Sequence, residues 1–156
     1  MKSLYKYMLT IVLLGLSTIM FVACGVVEVR GKTFVYDGVS IDWGMADDEG
    51  KQALFDEFLV SNEVELLNVL KTRNGRNSRI TTFGTDGKYT TLKNNEVVDS
   101  GYYKQDDEVI TLSETAEGLG DDGNFTLKAN AKGYSTVDKL NDELKIFAVY
   151  QYVVNN

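Results

Sequence analysis

The 156-residue chain has no histidine, no proline and one cysteine, and each shortage narrows what it can do. Without histidine it lacks the usual general base near neutral pH and the commonest zinc ligand, so Ser-His-Asp triads and zinc hydrolase sites are excluded. Paired carboxylates can do acid and base work without histidine, but no motif here ties such a pair to a cleft or a buried position. We therefore expect a non-catalytic protein with no cofactor. Without proline there is no Pro-rich stalk of the kind that crosses a cell wall. With Cys24 as the only thiol, no intramolecular disulfide can staple the fold, and stability must come from a packed core.

What is present begins with a basic head, Lys2 and Lys6, followed by the apolar run from Met8 to Val22. A cationic start and an apolar middle that ends in small residues form a secretory signal. The run closes on Phe21-Val22-Ala23-Cys24-Gly25, which resembles a bacterial lipobox. That resemblance implies cleavage before Cys24 and lipid attachment to its thiol, leaving the chain extracytoplasmic and anchored to the cell membrane by lipid. Two other readings stay open. Met8 to Val27 carries no charge, and about 20 such residues suffice to span a bilayer as an uncleaved helix; simple secretion is the other.

Removal of residues 1–23 leaves 133 residues, an ordinary size for one domain. Lys2 and Lys6 leave with the signal, so 14 cations stand against 23 acids and the net charge is −9. Such a domain is repelled by nucleic-acid phosphates, and nucleic-acid binding is not expected.

From Gly31 to Trp43 the pattern is extended, with a change of phase: Phe34 and Tyr36 share one parity, Val39, Ile41 and Trp43 the other. One extra residue near Asp37-Gly38 puts all five on one face, which predicts a long first strand with a bulge. Asp47-Asp48-Glu49 then opens a helix whose apolar positions, among them Phe55, Leu66 and Leu70, recur at helical spacing to about Lys71, with a break near Ser61-Asn62. Such a helix packs on the open end or the outer wall of a sheet. After Asn74-Gly75 come seven short alternating runs, at 78–83, 88–92, 97–104, 108–112, 124–129, 134–140 and 144–153, separated by turn residues such as Asp86-Gly87 and Asn94-Asn95. Short connections force antiparallel neighbours. The prediction is a mainly β fold: an eight-stranded antiparallel up-and-down barrel, with one long or broken helix between strands 1 and 2, preceded by an N-terminal signal helix.

The segments Gly31-Lys32-Thr33-Phe34, Thr82-Phe83-Gly84-Thr85-Asp86-Gly87-Lys88-Tyr89-Thr90 and Gly101-Tyr102-Tyr103-Lys104-Gln105-Asp106-Asp107-Glu108-Val109-Ile110-Thr111-Leu112 resemble the bacterial lipocalin-like domain lipoproteins. The resemblance covers about Val29 to Val154. It implies a lipocalin-like barrel in an extracytoplasmic setting and assigns no chemistry. The expected organisation is a lipoprotein signal peptide at 1–23, a short tether at 24–28 carrying lipidated Cys24, and the barrel domain at 29–156.

Tyrosine offers an apolar body and a polar tip, suited to lining a cup for a flat or amphiphilic molecule. From the aromatic supply we single out Tyr36, Trp43, Tyr89, Tyr103 and Tyr150 as ligand-binding candidates. An eight-stranded interior is wide enough either for its own side chains or for one small ligand. The function expected is thus a membrane-anchored lipoprotein that binds a small apolar or amphiphilic molecule; the alternative is a structural or protein-interaction envelope module with a filled barrel. Asp47-Asp48-Glu49, Asp106-Asp107-Glu108 and Asp121-Asp122 read as a helix start and solvated turns, and no metal site is expected. Lys71, Arg73, Arg76 and Arg79 read as cations favoured at a helix C-terminus, or else as a grip for a phosphate, polyanion or headgroup.

Overall fold

The structure is a computed structural model that describes residues 25–121 and 124–155. The expected signal helix and Cys24 lie outside the described residues. Eight strands close into one antiparallel barrel in chain order: β1 Lys32–Asp42, β2 Arg79–Phe83, β3 Lys88–Lys93, β4 Glu96–Asp106, β5 Val109–Ser113, β6 Phe125–Ala129, β7 Gly133–Asn141 and β8 Ile146–Val154. Two helices, α1 Asp48–Glu57 and α2 Glu63–Thr72, join β1 to β2. Among the described residues no helix is long and apolar enough to cross a membrane.

Closure rests on β1 meeting β8, from Phe34 opposite Val154 to Asp42 opposite Phe147. The register slips between Tyr36 and Gly38, as the phase change predicts. Tyr36 therefore faces Tyr152, while Val39 faces Tyr150 and Ile41 faces Ala148, all toward the interior. A methyl group at Gly38 would meet nothing within 4 Å; the bulge needs an extra residue, not a glycine. The turn residues behave as their chemistry requires. Asn94 and Asn95 both take positive φ, 52° and 67°, at the β3–β4 hairpin, the geometry whose twist matches that of the strands it joins.

The helical segment is broken rather than continuous. The Asp47 carboxylate accepts from the Gly50 amide at 2.9 Å to start α1, and Leu59 leaves the helical region at φ 56°. Asn62 then starts α2: its side-chain oxygen accepts from the Glu65 amide at 3.0 Å, and the Glu65 carboxylate accepts from the Ser61 amide at 2.8 Å. This reciprocal pair satisfies amides left open by the first turn. The apolar face of α2, Leu66 and Leu70, is fully buried. It meets the barrel at an end and not over the outer wall, because the inward-facing Tyr150 donates from its phenol to the Leu70 carbonyl at 3.3 Å.

The opposite end is plugged by the chain that leads into β1. Val29 is fully buried, and Gln105 clasps the segment from the barrel side. Its side-chain oxygen accepts from the Val29 amide at 2.9 Å, and its side-chain nitrogen donates to the Val27 carbonyl at 3.0 Å. The Val27 amide donates to Asn130 at 2.9 Å. Within the segment expected to serve as a short tether, the chain is docked from Val27 onward.

Candidate functional site

The interior divides into two halves because its side chains differ in kind along the barrel axis. At the plugged end aromatic rings fill the bore. Phe83 packs edge-on against Phe34, Tyr103 and Tyr134, and Tyr134 stacks on Tyr152 with centroids 4.9 Å apart and planes 12° from parallel. Toward the other end the inward positions carry short hydroxyls in place of rings: Thr81 on β2, Thr91 on β3 and Thr136 on β7, each buried. Threonine is too short to meet its counterpart across the bore, so a cup of about 250 Å³ remains. Tyr134 and Tyr152 belong to its lining, with Leu112, Phe125 and Leu127 as an apolar wall and Arg76, Arg79 and Asp99 as its charged groups.

The two arginines reach the cup by different routes. Asn74 and Gly75 both lie in the left-handed region, φ 55° and 64°, and kink the 3-10 segment Arg73–Ser78 so that Arg76 turns inward. A side chain on Gly75 would also strike Lys93, 2.2 Å from its Cε. Arg76 donates to the Thr136 hydroxyl at 2.9 Å, pairs with Asp138, and lies over the Tyr150 ring at 4.5 Å. Arg79 opens β2 and shares the inward parity of Thr81 and Phe83. It enters no ion pair among the described residues. The Nε atoms of Arg76 and Arg79 are buried and have no acceptor.

Neutral hydroxyls complete the polar side. Thr81 and Thr91 share a hydrogen bond of 3.0 Å, and Tyr89 donates to Asp99 at 3.1 Å. Burial lifts the phenols of Tyr134 and Tyr152 above the usual tyrosine range; the neighbouring Arg76 opposes the shift at Tyr152. The Tyr89 phenol is pushed up to about 12 by burial and by the Asp99 carboxylate beside it. All three thus stay protonated at neutral pH and face the cup or its wall as donors.

The wall of the cup has a seam. β5 and β6 pair from Val109 opposite Lys128 to Leu112 opposite Phe125, but β6 and β7 pair only at Lys128 with Ser135 and Ala129 with Tyr134. Beyond those pairs the two strands part. An outer groove of about 400 Å³ lies along this gap, between Val109, Val137 and Val149, and it shares Leu127 and Thr136 with the cup inside. Val137, more than half exposed, lines it.

None of the five aromatics singled out from the sequence lines the cup. Tyr103 lies in the filled half, its phenol donating to the Gly84 carbonyl at 2.7 Å. Tyr150 is fully buried between Arg76 and α2. Tyr36 packs edge-on against Tyr152 at 6.1 Å, and Trp43 packs on Phe55 of α1 at 5.8 Å. Tyr89 comes closest in effect, as the donor that holds Asp99. The tyrosines that do line the cup, Tyr134 and Tyr152, belong to the same aromatic supply. Of the basic stretch, Lys71 and Arg73 are exposed, whereas Arg76 and Arg79 go inside. Among the described residues no cluster of acidic side chains could hold a metal ion. No protein-family model, no curated protein and no solved structure matches the chain.

Proposed function

We propose that this protein is a non-catalytic, extracytoplasmic barrel, tethered to the cell membrane by a lipid on Cys24, that holds a small amphiphilic molecule. The observation that carries the binding part is the half-empty interior, a cup of about 250 Å³ with hydroxyls and arginines on one side and Leu112, Phe125 and Leu127 on the other. Small-molecule sites are concave, largely preformed and mostly apolar, with a few polar groups that fix orientation. The seam beside the cup gives an apolar chain somewhere to extend. Support for the tether comes from the basic head, the apolar run and the Ala23-Cys24 junction.

Binding to the folded state raises the unfolding midpoint by mass action. A panel of short amphiphiles screened against the full chain in nonionic detergent is expected to contain stabilisers, and Leu127→Arg, which puts a charged chain into the apolar wall, is expected to remove the effect. A panel without one stabiliser would overturn the binding reading. Mass spectrometry of the chain from its native host checks the tether: wild type is expected to carry a lipid-sized increment that Cys24→Ala lacks, and equal masses apart from the substitution would overturn it.

A further inference from the structure

Resting on that reading, we infer that the molecule in the cup is a monoanion with a carboxylate head, seated on the guanidinium of Arg79, with its apolar part against Leu112, Phe125 and Leu127. Among the described residues the buried side-chain donors left without an acceptor are two, the Nε atoms of Arg76 and Arg79. Both arginines line this one cavity. A charged donor held out of water with nothing to accept from it is costly, and native interiors keep few of them. Arg76 has its own counter-ion in Asp138; Arg79 has none among the described residues. Its position worsens the imbalance, since the residue directly opposite it in β3 is Lys93, and like charges facing across a ladder repel. A bound anion offsets both the uncompensated charge of Arg79 and the repulsion.

The charge of the lining selects the anion. The charged groups of the lining are Arg76, Arg79 and Asp99; with Asp138 paired to Arg76 and Lys93 opposite Arg79, three cations stand against two carboxylates, so the site carries one net positive charge. A single negative charge balances it, whereas a phosphate dianion would set its second charge against Asp99. The planar guanidinium fork matches the two oxygens of a carboxylate. One hydroxyl of the Thr81–Thr91 pair and the Tyr134 phenol sit in the same lining as further donors. The apolar wall on the far side then meets the part of the ligand that the arginines do not.

Thermal unfolding and titration calorimetry of the full chain, in nonionic detergent at neutral pH, with hexanoate, hexan-1-ol and hexyl phosphate as probes, test this. Hexanoate is expected to bind about tenfold more tightly than hexan-1-ol and more tightly than hexyl phosphate. R79Q is expected to bring hexanoate down to the level of hexan-1-ol, with R79K recovering part of the loss. Hexan-1-ol binding as well as hexanoate, hexyl phosphate binding best, or R79Q without effect would each overturn the carboxylate assignment while the amphiphile reading stands. No binding by any probe overturns both. Should R79Q lose the native aromatic circular dichroism, D99N reads the same inference from the other side. Removal of the lining carboxylate is expected to tighten hexanoate several-fold, and an unchanged affinity would count against the assignment.

Discussion

The guanidinium of Arg76 lies over the ring of Tyr150, 4.5 Å from its centroid. Tyr150 in turn donates to the Leu70 carbonyl at 3.3 Å, so the wall of the cup and helix α2 hold one another through these two side chains. Arg76 is also paired with Asp138, with both side chains mostly buried. Removing one member of such a pair strands a buried charge, whereas replacing both with apolar residues of similar size is often neutral. Arg76→Met is therefore expected to lower stability by about 3 kcal/mol, and the double substitution Arg76→Met with Asp138→Leu to recover most of it. Urea midpoints at constant slope measure both. A double variant as weak as the single one would show that the stacking on Tyr150, and not the stranded charge, sets the cost.

Two glycines in strands make opposite predictions. A Cβ on Gly133 would stand 1.9 Å from the Tyr152 carbonyl oxygen across the β7–β8 ladder, a backbone atom that cannot move aside alone. Gly133→Ala is expected to cost about 3 kcal/mol or to prevent accumulation of folded protein. Gly38, at the β1 bulge, has nothing within 4 Å of where a Cβ would be and has no positive φ. Gly38→Ala is expected to stabilise by about 0.5 kcal/mol, because it restricts the unfolded chain more than the folded one. Parallel urea titrations compare them, and a reversed order would show that β1 relies on glycine flexibility for the bulge.

Which of these features the sequence discloses follows from the range of the interaction behind each. Alternation has period two and turns are local, so the eight strands, the bulge before Gly38 and the break before Asn62 are readable residue by residue. Depth along the bore is different. Tyr89 and Tyr103 point inward as their parity requires, yet whether an inward residue lies in the filled half or at the cup depends on the stagger of strands around the barrel, which no local pattern encodes. Arg76 and Arg79 were masked by a good local explanation, since cations at a helix exit are favoured by the dipole. A signal for Arg79 was nonetheless present: it shares parity with Thr81 and Phe83, so a core Phe83 brings Arg79 inside with it.

The plug at the end where the chain enters β1 predicts a local loosening distinct from global unfolding. Gln105 satisfies the Val29 amide and the Val27 carbonyl, at 2.9 and 3.0 Å, in a part-buried position. Gln105→Leu keeps the volume but leaves both groups unpaired, at a cost of about 1–3 kcal/mol. Hydrogen exchange is expected to quicken at Val27 and Val29 more than at Ile110 on β5, since local opening releases the segment without opening the barrel. Uniform acceleration across all three sites would mean that the segment and the barrel open as one unit.

Alkaline pH tests the tyrosine-filled interior as a whole. Burial raises the phenol of Tyr89 to about 12, with Asp99 adding to the lift, and raises those of Tyr103, Tyr134, Tyr150 and Tyr152 in the same direction. Unfolded, these phenols lose their protons near the ordinary tyrosine value of about 10. Above that pH the unfolded chain binds fewer protons than the folded one, and stability falls as pH rises; the contribution is fully present below about pH 10 and is lost toward pH 12. Phenolate absorbance and backbone circular dichroism are therefore expected to change together in one cooperative step above pH 10. Tyr89→Phe, which removes the phenol that sits against Asp99, is expected to move that step to higher pH. Buried phenols that ionise smoothly near pH 10 while the barrel stays folded would show that water reaches them, and the aromatic half of the bore would then not be closed.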